Sequence, residues 1–205
     1  MVAHALPPLD LLDVEPRVLL NGVPWETYIA LSDALSAAGD HSHLTYLEGS
    51  LEIMGTSQLH EEAKKIIARL LETWADELDV DLRGFGGMTF RRKVKKRGLE
   101  PDECYTLGPM RRQRPDLAIE VVVGNPMLDK LDVYAGLDVP EVWVWAARAQ
   151  RIDVHHLSRQ KYTRRWRSEL LPAIDLALLA KFVRPGESHT ALAKAYRRTL
   201  AESRD

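Results

Sequence analysis

A single cysteine, Cys104, in a chain of 205 residues leaves no partner for an internal disulfide and excludes a multi-cysteine zinc site. Its apolar surroundings predict a buried thiol in a reducing cytoplasm. Long apolar runs are missing too: no stretch reaches the length that spans a bilayer, and the N-terminal residues show no basic segment leading into an apolar one. A cytoplasmic location with no membrane partner is therefore expected. Charge of one sign is also scarce. The formal net charge is −2 at pH 7, which gives no global attraction to nucleic acid, so any polyanion must be held by local patches. There is no repeat, no low-complexity segment and no glycine-rich phosphate loop, and no Ser-His-Asp or Cys-His set has a diagnostic spacing.

What is present is an ordinary globular composition, 45% hydrophobic and 28% charged. The length suits one well-buried core, so one domain over residues 1–205 is expected, with a core over about 40–167, a helix over 24–38 before it and a helical extension over 172–205 after it. Pro24 opens the first helix. Leu44–Leu47 and Leu51–Met54 flank Glu48-Gly49-Ser50 as a hairpin. Leu59, Ala63, Ile66, Ile67, Leu70, Trp74 and Leu78 mark a helix over 57–78 with Ser57 as its N-cap. Between Val80 and Thr106 the pattern is strand-like, with two extended segments, and Gly84, Gly86 and Gly87 point to a bulge or a close backbone approach. Pro115–Val123 reads as a strand buried on both faces. Asn125-Pro126 reads as the cap and first position of a helix ending near Leu137. Three strands follow at 141–145, 152–157 and 161–166, with Trp143, Trp145 and Trp166 filling core or interface, and a helix covers 188–203. The order implies an α/β (α+β) fold in which a central mixed sheet is flanked by helices.

Two Pro-Asp dipeptides, Glu100-Pro101-Asp102-Glu103 and Pro115-Asp116-Leu117-Ala118-Ile119-Glu120, carry the chemistry. Strand alternation puts Asp116, Ala118, Glu120 and Val122 on one face. Asp116 and Glu120 are about 13 Å apart along such a strand, too far to share one ion. If the segment after Asp102 pairs antiparallel with the segment before Glu120, those two acids fall side by side, an arrangement that calls for a cation or a raised pKa. A hard divalent cation takes oxygen ligands from two or more carboxylates, and a nearby ammonium such as Lys130 can orient the attacking water or neutralise charge on a phosphorane. Duller readings stand beside this one. Pro-Asp is a common turn dipeptide, Glu120 could be paired with an arginine, and Lys130 could be a solvated helix lysine. His155 and His156, adjacent on a strand, face opposite sides and read as structural. Three basic patches surround the acids: Arg91 to Arg97, then Arg111, Arg112 and Arg114, then Lys161, Arg164, Arg165 and Arg167. Each alone reads equally as a solvated edge.

Tyr46-Leu47-Glu48-Gly49, Ser57, His60-Glu61, Thr89-Phe90-Arg91-Arg92, Glu100 to Tyr105, Pro115 to Glu120, Tyr134-Ala135 and Val139 to Trp143, taken in order, resemble the Uma family of bacterial putative restriction endonucleases over roughly residues 20–185. The resemblance implies a restriction-endonuclease-like core of the PD-(D/E)xK type, DNA as substrate and Mg²⁺ or Mn²⁺ as cofactor. Asp102 matches its first acid and Glu120 its second, His60 and Glu61 match its helix motif with Glu61 as a further metal ligand, and Asp116 is a secondary candidate. The motif lysine would stand two residues after the second acid, where this chain has Val122, and Lys130 resembles its displaced equivalent. A homodimer is expected of an enzyme that cuts a duplex. The competing expectations are a scaffold that binds or assembles without hydrolysis, which Val122 favours, and a two-acid hydrolase of a non-nucleic substrate.

Overall fold

The computed structural model describes residues 15–40, 42–109, 113–125 and 127–202. Along them run β1 (Arg17–Leu20), α1 (Trp25–Ala37), β2 (His43–Leu47), β3 (Ser50–Met54), α2 (Gln58–Leu78), β4 (Leu82–Gly84), β5 (Phe90–Arg92), β6 (Arg97–Leu99), β7 (Glu103–Leu107), β8 (Leu117–Val122), α3 (Lys130–Gly136), β9 (Glu141–Ala146), β10 (Arg151–Ser158), β11 (Lys161–Arg165), α4 (Leu176–Lys181) and α5 (His189–Glu202). One sheet, ordered β1-β3-β2-β6-β5, is antiparallel. The other, ordered β11-β10-β9-β8-β7-β4, is mixed because β8 and β9 run parallel. Parallel neighbours need a crossover, and α3 supplies it.

Local chemistry accounts for the clearest elements. The β2–β3 turn closes with Glu48 and Gly49 at φ 48° and 101°, the two positive values that a two-residue hairpin loop matched to strand twist requires. Helix α2 starts where the Ser57 hydroxyl accepts the His60 amide at 3.2 Å, and it buries Ala63, Ile66, Ile67, Leu70 and Trp74 along one stripe.

Strand β8 separates two cores. Leu117, Ile119, Val121 and Val123 join Trp143, Trp145 and the α2 stripe on one face. Ala118 joins Cys104, Val142 and the α3 residues Val133 and Tyr134 on the other. A third cluster gathers Trp25, Tyr28, Leu44, Tyr46 and Leu51 beneath α1. Leu179, Leu192 and Tyr196 from α4 and α5 belong to the first core, so these helices pack into the body rather than extend from it. Burial pushes the Cys104 thiol up to about 12, in keeping with an inert buried group.

Several expectations need correction. Strand β1 was not expected, and the 80–106 region holds four strands rather than two; β5 and β6 are three residues each, too short to show alternation. The helix expected from Asn125-Pro126 begins instead at Lys130, where the Asp129 carboxylate accepts the Leu131 amide at 2.9 Å. Pro126 itself, with Arg111 and Arg112 of the second basic patch, lies outside the described residues. Of the glycines, Gly87 bears out a close approach: a Cβ there would stand 2.7 Å from Glu100 Oε1. Trp143 and Trp145 are buried, but Trp166 falls past the end of the edge strand β11 and is 82% exposed.

Candidate active site

The pairing of β7 with β8 sets Glu103 opposite Ile119 and Cys104 opposite Ala118. Continued by one residue, the same register sets Asp102 opposite Glu120, on the face of β8 that meets α3. Both acids are buried. Two like charges side by side in a low dielectric need compensation, and three elements deliver it.

Helix α3 supplies the first part. Lys130 and Tyr134, four residues apart and so on one helical face, both reach Glu120: Lys130 Nζ lies 2.5 Å from Oε2 and the Tyr134 hydroxyl donates to Oε1. Asp102 is held separately. Its Oδ2 accepts the Val121 amide at 2.6 Å, and its Oδ1 lies 3.0 Å from His60 Nε2 and 3.5 Å from His43 Nδ1. Neither ring nitrogen is aligned as a donor to it, so Asp102 Oδ1, His43 Nδ1 and His60 Nε2 are buried polar atoms without a directed hydrogen bond. The contact with His60 is therefore one of charge and proximity. On its other side His60 Nδ1 is bonded to Glu15 Oε1 at 2.7 Å.

The electrostatics follow from these neighbours. Burial works against a charged His60 ring, yet Asp102 and Glu15 outweigh it and raise its pKa from 6.5 to about 9. Burial would likewise lift Asp102, but His60, Lys130 and His43 hold it below the usual carboxylate range. Glu120 moves the other way, raised by burial and by Asp102 against the pull of Lys130, while Glu120 and Asp102 keep Lys130 protonated against burial. Burial lowers His43, leaving it a neutral ring. Adjacent carboxyls pushed in opposite directions titrate as a unit.

Outside the pair lies a cleft of about 670 Å³ whose lining includes Tyr28, His43, Glu61, Lys64, Glu100 and Asp102. Asp102 reaches its wall, and Glu120 sits behind. Glu61 is half-exposed in this cleft and paired with Lys64 at 2.6 Å. Asp116 is not part of the site: at the entry to β8 its Oδ2 accepts the Leu107 amide at 3.0 Å. The structure thus brings Asp102, Glu120, Lys130 and His60 together, sets Glu61 in the cleft beside them and leaves Asp116 apart.

Sequence reasoning passed over Glu15, Arg17, His43 and Glu52, and named Tyr134 within the family resemblance, with no role at the site. Glu52 is a buried hub on β3: it pairs with Arg17 at 2.7 Å and accepts the amides of Met127 and Leu128 at 2.7 and 2.9 Å. It thereby fixes the segment that leads into Lys130. A charged residue within the apolar Leu51–Met54 run was the one available signal.

Residues 25–182 match the sequence profile of Uma2, described as putative restriction endonuclease. Among solved structures, the chain is similar to a putative nuclease belonging to DUF820 from Anabaena variabilis, at 13% identity over 75% of this chain and 90% of that one, with a TM-score of 0.44. No curated protein matches it. Among the described residues no helix is long and apolar enough to cross a membrane.

Proposed function

Since the chain belongs to the Uma2 family of putative restriction endonucleases, we propose that it is a divalent-metal-dependent nuclease that hydrolyses DNA phosphodiester bonds with Asp102, Glu120 and Lys130. One observation carries this reading: two buried carboxylates stand opposite each other on adjacent strands, with an ammonium 2.5 Å from the second.

The residues fit a hard cation through Asp102 Oδ1, a buried acceptor with no directed donor, at the wall of a cleft that also holds Glu61 and Glu100. Among the described residues no three His, Cys, Asp or Glu side chains already stand in ligand spacing, so Asp102 and Glu120 would hold the ion, Glu61 being the further carboxylate in reach of the cleft. An all-oxygen set suits Mg²⁺ or Mn²⁺ and not a thiolate metal. A bound ion of this kind supplies positive charge at the scissile phosphate and a more acidic water. The chain's own residues do the rest. Lys130, kept charged by both acids, opposes charge that builds on the phosphate oxygens; Tyr134 fixes the Glu120 rotamer; His60 and the Val121 amide fix Asp102. Cutting both strands of a duplex takes two such sites, which a homodimer supplies.

The test is nicking of supercoiled plasmid with added Mg²⁺ or Mn²⁺ and with EDTA. Activity in wild type that is absent in Asp102→Ala supports the reading, while equal cleavage by both assigns the activity to a contaminant. The second reading, a nuclease scaffold that binds or assembles without hydrolysis, is favoured by Val122 at the motif lysine position and by the occupation of both Glu120 oxygens. It predicts no heat when Mg²⁺ or Mn²⁺ is titrated calorimetrically.

A further inference from the structure

Of the chain's five tryptophans, Trp25, Trp74, Trp143 and Trp145 are at most 8% exposed, whereas Trp166 is 82% exposed. A large ring left in water gives up about 1.5–3 kcal/mol or more of available burial, so its place among cations calls for an account. The Arg167 guanidinium stands over the ring, 4.7 Å from its centroid, and Lys161, Arg164 and Arg165 are exposed on the adjoining strand β11. Arg164 is paired with Asp153 and Arg165 with Glu169. These exposed pairs hold the arginines in place while leaving them open to solvent and to exchange for a phosphate.

The register connects this corner to the acids. Glu120 on β8 lies beside Val144 on β9, and Val144 beside Asp153 on β10. Val154 on β10 lies beside Arg165 on β11, where the strand ends one residue before Trp166. Asp102, Glu120, Val144 and Asp153 thus form one row across the mixed sheet, and Trp166 lies at its β11 edge.

We propose that Trp166 with Arg167, flanked by Lys161, Arg164 and Arg165, is a base-stacking platform for single-stranded nucleic acid. This rests on the nucleic-acid reading above and adds a strand preference to it. An indole face accepts any base, the guanidinium over its other side adds a cation–π contact, and the basic strand tracks the backbone, which is the combination that sequence-tolerant single-strand binding uses. Duplex DNA keeps its bases stacked on one another and offers the ring only its ends.

Because the other tryptophans are buried, quenching of tryptophan emission reports on Trp166. The full-length protein in EDTA, which stops metal-dependent cleavage, is titrated with a short oligothymidylate and with a duplex of the same length. The expected result is quenching by the oligothymidylate in wild type that is absent in Trp166→Ala and Trp166→Phe, and, by anisotropy of a labelled oligothymidylate, an affinity about 5- to 100-fold weaker in Trp166→Ala, the loss of one stacked base, and largely retained in Trp166→Phe. Because the ring is exposed, these variants keep the fold, which circular dichroism checks. Equal affinity of wild type and Trp166→Ala overturns the proposal, as does equal quenching by the duplex, which would signal backbone binding, or a concentration-dependent blue shift without nucleic acid, which would mark a contact between copies. Quenching without any nicking in the plasmid assay would sink the nuclease reading and leave the platform standing; nicking without quenching would do the reverse.

Discussion

Lys130 shows how much rests on one side chain. It is the first residue of α3, so its stem starts at the end of the segment that Glu52 anchors and its ammonium ends on Glu120. Lys130→Met removes the cation that faces Glu120 but keeps the length of the stem. Glu120, already raised by burial, would then take up a proton rather than remain a bare buried anion, which limits the stability loss to less than the roughly 3–5 kcal/mol of a broken buried pair. We expect nicking to fall at least about 100-fold, since a charge aimed at the transition state contributes several kcal/mol at about 1.4 kcal/mol per tenfold, with the far-ultraviolet circular dichroism unchanged. Nicking rates at wild-type levels in Lys130→Met would remove the lysine from the mechanism. Tyr134→Phe should be milder, because Lys130 still holds the other Glu120 oxygen.

Between elements, the decisive contact is Glu52 on β3 with the amides of Met127 and Leu128 ahead of α3. It ties the antiparallel sheet to the crossover that delivers Lys130. Glu52→Ala leaves the Met127 and Leu128 amides without their acceptor and Arg17 with Glu15 alone, at a cost of about 1–3 kcal/mol for a group left unpaired and shielded from water. Urea denaturation should show a midpoint well below wild type, and activity measured where the variant is still folded should also fall, because Lys130 loses its fixed approach. A variant equally stable and equally active would show that the segment is held by other contacts. None of this long-range pairing was legible in the sequence, because Glu52 and Met127 are 75 residues apart and neither sits in a periodic pattern that names a partner. What local order encodes was legible: the α2 stripe, the Glu48-Gly49 turn, and the alternation along β8 from which the pairing of Asp102 with Glu120 was derived. Asn125-Pro126 misled because Asp129, four residues on, also offers capping chemistry and caps α3, while Glu52 takes the Met127 and Leu128 amides ahead of it. Trp166 misled because its neighbours are strand formers, while the strand stops one residue short of it.

At the scale of the whole molecule, His60 is where the N-terminal segment, α2 and the mixed sheet meet, through Glu15 on one ring nitrogen and Asp102 beside the other. Its pKa rises from 6.5 to about 9 in the folded chain. The imidazolium is therefore worth most below about pH 6.5, and its contribution fades as pH climbs to about 9; a 2.5-unit difference corresponds to on the order of 3 kcal/mol. Asp102, held low by the same contact, acts at the other end of the scale: its contribution is present above the ordinary carboxylate range and is lost on acidification. His43, also beside Asp102, is lowered by burial and is already neutral over the alkaline window. Glu120, raised by burial, adds a loss of the same sign with rising pH. The stability of the wild-type protein should accordingly decline between pH 6.5 and 9, whereas His60→Gln, which keeps the shape and one donor but cannot titrate, should be less stable at pH 6.5 and show a much flatter profile up to pH 9. Urea midpoints taken across that range decide it: parallel profiles for the two proteins would mean that the His60 ring is neutral between Glu15 and Asp102 in solution, and that Asp102 meets any bound cation with its own negative charge uncompensated by the ring.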